Sequence, residues 1–216
     1  MKATGFILAL AVLAVPAVGA SALELPGLGV RTSMEITVPS GARDYYGNGA
    51  GFTAGLVYNL PVHRNISFEP GLMYYYSTMS GKENVVIDSY MYQDNARFMG
   101  LRIPLMASYN VSVLPNVDLS FATGPWININ LYARQNILPN LAAPVPVPDR
   151  KISLFDHGWK RVDAQWGFRL SMTFAGSYYV GITGGVSFTP LASFGNRDKK
   201  IRIHRNTIAV SLGYNF

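Results

Sequence analysis

Residues 207–216 alternate without a break: Ile208, Val210, Leu212, Tyr214 and Phe216 fall on one face, and Thr207, Ala209, Ser211, Gly213 and Asn215 on the other. A strict period of two with one apolar face predicts an extended strand. Residues 162–174 repeat the pattern, with Val162, Ala164, Trp166, Phe168, Leu170, Met172 and Phe174 against Asp163, Gln165, Gly167, Arg169, Ser171 and Thr173. Residues 178–191 follow after a tight hairpin connection. Weaker alternation marks strands at 30–38, 52–60, 66–78, 98–109 and 117–133. The total is eight strands. The connections at 61–65, 110–116 and 175–177 are short, and those at 39–51, 79–97, 134–161 and 192–203 are long. Alternating short and long connections predict an all-β, eight-stranded, antiparallel up-and-down transmembrane β-barrel with short periplasmic turns and long extracellular loops.

The first residues break this rhythm. Met1-Lys2 is followed by an apolar run from Phe6 to Val18 and then Ala20-Ser21-Ala22. This has the form of a secretory leader with a small-residue cleavage site. The expected division is a cleaved signal peptide over 1–22 and a barrel domain over 23–216, with cleavage after Ala20 as the rival site. No later apolar run approaches the roughly 20 residues of a membrane-spanning helix. The absence of cysteine removes a disulfide framework, a thiolate metal site and a lipoprotein anchor.

Alternation alone fits a soluble barrel with its apolar face inside as well as a membrane barrel with that face in lipid. Three features favour lipid. The polar face carries Arg31, Glu35, Glu69, Arg102, Asp118, Asp163 and Arg169, a near-balanced set suited to an interior ion-pair network, and no lysine. The same face is rich in Gly, Ala and Ser, which suits the narrow interior of eight strands. Aromatic residues gather near strand ends, as interfacial girdles do. They are Tyr58, Tyr74, Tyr76, Tyr109, Phe174, Tyr178, Phe188, Tyr214 and Phe216. The expected location is the bacterial outer membrane.

Specific segments add to this. GFTAGL at 51–56, ISFEPGLMY at 66–74, LRIPL at 101–105, TGP at 123–125 and the YNF ending resemble the PorT-like outer-membrane β-barrel domain of Bacteroidetes. Tyr214 and Phe216 resemble the C-terminal assembly signal that such barrels present to the barrel assembly machinery, although Gly213 departs from the usual offset. The resemblance implies a barrel of mixed function, with no catalytic residues attached to it, and an accessory role in protein secretion among its known uses.

His63, His157 and His204 have no metal-site spacing, and no G-x-S-x-G motif is present. The Gly-rich stretch 47–51 precedes a strand, so it predicts a turn and no phosphate cradle. No cofactor or metal is expected. The interior charges predict a filled plug, because an eight-stranded lumen is too narrow for a porin channel. Arg197, Lys199, Lys200, Arg202 and Arg205 in the last loop and its strand edge are candidate lipopolysaccharide contacts. Export argues against a nucleic-acid partner. The leading expectation is a non-enzymatic envelope structural or interaction protein, or an accessory to secretion. The alternatives are a lipid-modifying enzyme, which requires an outward Ser and a His at one depth near the extracellular rim, and a small pore.

Overall fold

The computed structural model describes residues 26–41, 43–82, 85–87, 90–139, 150–194 and 201–216. The expected leader lies outside these residues. Eight long strands close into a ring: β1 (Leu28–Ser40), β2 (Gly49–Tyr58), β3 (Ile66–Gly81), β4 (Tyr90–Leu114), β5 (Val117–Pro139), β6 (Val162–Phe174), β7 (Tyr178–Ser187) and β8 (Ile201–Asn215). Each strand pairs with its sequence neighbour in antiparallel register, and β1 pairs with β8 from Gly29↔Asn215 to Ser40↔His204. The backbone amide of Phe216 donates to the Leu28 carbonyl at 2.9 Å at the foot of this seam. Closure satisfies the ladder of every strand, which is the condition for crossing a bilayer with β-structure.

Alternation sorts the side chains as the sequence predicts, and lipid is the outer solvent. Met34, Ile36, Leu170, Ile182, Ile208 and Val210 point outward and are exposed. Arg31, Glu35, Glu69, Arg102, Asp163 and Arg169 point into the ring and are buried. The aromatic residues form two belts. Tyr58, Tyr109, Phe174, Tyr178 and Tyr214 lie at the end with the short turns, where Tyr178 and Tyr214 meet edge-on at 5.6 Å. Phe52, Tyr74 and Tyr76 lie toward the other end, where Phe52 contacts both tyrosines.

Two of the three short turns are tighter than expected, and the third spans 175–177 as read from the sequence. His63 pairs with Ile66 and Leu114 with Val117, leaving two-residue loops. Arg64 (φ 38°), Asn116 (φ 69°) and Ala175 (φ 50°) adopt the left-handed conformation that such turns require. At the opposite end β4, β5 and β8 run well past the expected boundaries. The physical reason is the solvent. Beyond the lipid the outward face no longer needs to be apolar, as Arg97, Arg134, Arg202, His204 and Asn206 illustrate, so the alternation fades while the strand continues. A membrane strand needs about 9–11 residues. The 25 residues of β4 and 23 of β5 therefore carry a hairpin beyond the bilayer. Short strands Val85–Ile87 and Arg150–Ser153 widen this hairpin on either side.

Candidate functional site

The lumen is filled by layered ion pairs. Lowest lies Glu69 (β3) with Arg169 (β6) at 2.5 Å. Above it, Arg102 (β4) donates to Glu35 (β1) at 2.8 and 3.4 Å, and its Nε donates to Asn128 Oδ1 at 2.8 Å. Uppermost, Arg205 (β8) meets Asp163 (β6) at 2.5 Å, with both side chains fully buried. Asn128 and Asn130 also donate to the Asp163 carboxylate, at 3.0 and 3.1 Å, and the Tyr75 hydroxyl donates to Asn130 Oδ1. No pair joins neighbouring strands, so each one crosses the interior and blocks it.

The aromatic fillers need thin walls. Trp126 lies across Gly167 and Gly185, where an added Cβ would stand 2.4 Å from Trp126 Cε2 and 2.7 Å from its Cζ3. Arg102 Cζ sits 5.0 Å from the indole ring centroid. A residual cavity of about 50 Å³ between Arg31, Arg102, Arg169 and Tyr179 holds no more than a few waters.

Two sequence assignments are corrected. Arg205, expected as a lipopolysaccharide contact, is 0% exposed and completes the uppermost ion pair. It shares the inward parity of Thr207, Ala209 and Ser211, and that parity outweighs the basic run before it. Asp118, expected in the interior network, sits half-buried at the periplasmic end and accepts from Ser112 Oγ at 2.5 Å, far down the strand from the network. Arg31 is buried in the lumen but has no carboxylate partner among the described residues. It donates to the Tyr214 carbonyl and Asn215 Oδ1 at 3.2 and 2.6 Å and stacks over Tyr179 at 3.9 Å. Of the remaining loop cations, Arg202 is exposed, and Arg197, Lys199 and Lys200 lie outside the described residues.

A roof closes the extracellular end. Leu154, Trp159, Leu191 and Ala192 fold inward from the third and fourth long loops onto Tyr46, Tyr75, Met79, Phe98 and Ile203. Trp159 contacts Tyr46 at 5.6 Å and Phe98 at 5.3 Å between ring centroids. Backbone bonds lock the two loops together, with Lys160 N donating to Leu191 O at 2.8 Å and Leu191 N to Ile203 O at 2.7 Å. The loop residues of this cluster follow no period, which is why alternation does not show them.

An outward serine and histidine share one depth at the rim. Ser40 and His204 are direct register partners across the β1–β8 seam, both on the outward parity, two rows above Ile36 and Ile208. Asn206 Nδ2 donates to Ser40 Oγ at 3.2 Å, and His204 Nδ1 is buried without a hydrogen bond.

A closed antiparallel sheet, apolar outside and ion-paired inside, defines an integral outer-membrane β-barrel. Residues 26–187 match the family model of the outer membrane protein beta-barrel domain, and the chain belongs to that family. Similar solved structures are small outer-membrane barrels. Neisserial surface protein A is 12% identical, with 88% of this chain and 97% of that chain covered and a TM-score of 0.44. The attachment invasion locus protein Ail of Yersinia pestis, solved with the heparin analogue sucrose octasulfate, is 10% identical, with 89% and 100% covered and a TM-score of 0.42. The outer membrane enzyme PagL is 8% identical, with 86% and 99% covered and a TM-score of 0.46. No curated protein matches. At these identities the likeness is one of shape, and no function is taken from it.

Proposed function

We propose that the protein is a closed, non-enzymatic barrel, exported behind a cleaved leader, that acts in the envelope through what it presents outside the lipid. It serves as a structural or interaction protein, or as an accessory to secretion of the PorT-like kind. The observation that carries this is the blocked lumen: three transluminal ion pairs under an apolar roof. A solute path would have to break buried pairs and lift the roof, so the loops and rim are left as the working surface. The purified barrel reconstituted in planar bilayers is expected to leave conductance at baseline, and stepwise channel openings would overturn the closed reading. A deletion strain with normal secretion, adhesion and detergent resistance would remove the envelope role.

The Ser40–His204 pair favours a second reading, a lipid-acyl hydrolase at the rim. A serine alkoxide formed with imidazole as base attacks an ester carbonyl, and the two side chains need hydrogen-bond contact for it. Here Ser40 is bonded to Asn206, and no carboxylate orients His204 among the described residues. The first reading predicts identical lipid A mass spectra from cells carrying wild type and Ser40→Ala. Loss of a deacylated species in the variant would establish the second.

A further inference from the structure

Two arginines face each other where the barrel leaves the lipid. Arg97 on β4 and Arg134 on β5 are direct register partners, and both are exposed on the outward face. Side chains so placed have Cβ atoms about 5 Å apart, and like charges directly opposite one another destabilise a sheet. Among the described residues neither has a carboxylate partner. Their neighbours in the same outward row are neutral: Thr78 on β3, opposite Arg97, and Ser153, opposite Arg134. Among the described residues, nothing offsets the repulsion.

The height of the pair says what compensates it. The next outward row toward the membrane is Phe52, Tyr76, Met99 and Tyr132, linked across four strands by register. Aromatic rows of this kind mark the headgroup level of a bilayer. The arginines stand two residues above it, about 7 Å along the strand. Arg134 lays its guanidinium over Tyr132 at 5.0 Å from the ring centroid, which fixes the cation while leaving its edge open. Two planar forks side by side match a tetrahedral oxyanion, and phosphate is the group arginine grips best in this geometry.

We propose that Arg97 and Arg134 form a binding site for the phosphate of an outer-leaflet glycolipid, whose acyl chains run down the exposed apolar surface of β4 and β5 beneath. The site is built by the fold, because the two residues lie 37 positions apart and meet only through the β4–β5 register. It is distinct from the last-loop cluster and needs neither an enzymatic nor a secretory role.

The test uses the full-length barrel purified in neutral detergent and titrated with bis-phosphorylated lipid A, with retention read by native mass spectrometry. Wild type is expected to hold the lipid, and Arg97→Gln/Arg134→Gln to hold it at least about tenfold more weakly, the scale of one lost charge-assisted hydrogen bond. Dephosphorylated lipid A should bind wild type and variant alike. A second readout carries opposite signs. Without lipid, Arg97→Gln should melt at or above the wild-type temperature, since it relieves the repulsion, and with lipid A it should melt below. Heat-modifiable gel migration reports closure of each variant, and if the double variant fails to close, the single variant is scored in the same way. Equal retention of phosphorylated and dephosphorylated lipid by wild type, or no loss in the variants, overturns the site. Stabilisation by inorganic phosphate equal to that by lipid A overturns the assignment to lipid.

Discussion

Asp163→Asn should destabilise the barrel by about 3–5 kcal/mol, the cost of leaving one partner of a buried ion pair uncompensated. Asp163 and Arg205 are both fully buried, and the carboxylate also receives hydrogen bonds from Asn128 and Asn130. The amide removes the counter-charge while Arg205 stays enclosed beneath the roof. The measurement is equilibrium urea unfolding in detergent micelles, followed by heat-modifiable migration and β-sheet circular dichroism. Asp163→Asn/Arg205→Met should recover much of the loss, because replacing both partners also removes the stranded cation. A single-variant loss under about 1 kcal/mol, the range of exposed pairs, would mean that water reaches this layer and that the roof is open.

Ile182→Arg tests the outside of the same wall. Ile182 is 60% exposed on β7 and lies beside Leu170 and Val210, with apolar outward rows above and below. An arginine near the bilayer midplane costs about 2–4 kcal/mol, falling to about 0–1 near the interfaces. Ile182→Arg is therefore expected to unfold from lipid vesicles at clearly lower denaturant than wild type, while Asn206→Arg, on the outward face nearer the extracellular rim, should shift little. Equal effects at the two positions would contradict the assigned depth. In a barrel surrounded by water, neither substitution would carry this depth dependence.

How far the sequence reached follows from what each region must satisfy. Where lipid meets one face and packed side chains the other, both demands are written at every second residue, and 162–174 and 207–216 could be read directly. Above the lipid the outer demand vanishes, so the upper lengths of β4, β5 and β8 were invisible to alternation. Arg205 was lost in the same transition: the basic run from Arg197 drew it toward the loop, although its parity with Thr207 and Ala209 was there to be counted. Asp118 had the correct parity and the wrong height, since alternation says which face a residue takes and not how deep it sits. The roof residues Leu154, Trp159 and Leu191 are held by loop closure and leave no periodic trace. Pairings such as Ser40 opposite His204 depend on the β1–β8 seam, which register alone reveals.

The transluminal pairing also sets how this sequence is free to drift. An outward residue need only remain apolar, so Ile182 or Val210 can exchange with any greasy neighbour one step at a time. An inward charge has no such liberty. Glu35, Glu69 and Asp163 are each tied to an arginine on a strand that is not their neighbour, so a change at one requires an answering change at the other. In diverging descendants the bilayer face should blur quickly, while linked substitutions accumulate between β1 and β4, β3 and β6, and β6 and β8. Those couplings would identify the lineage after its surface has become unrecognisable.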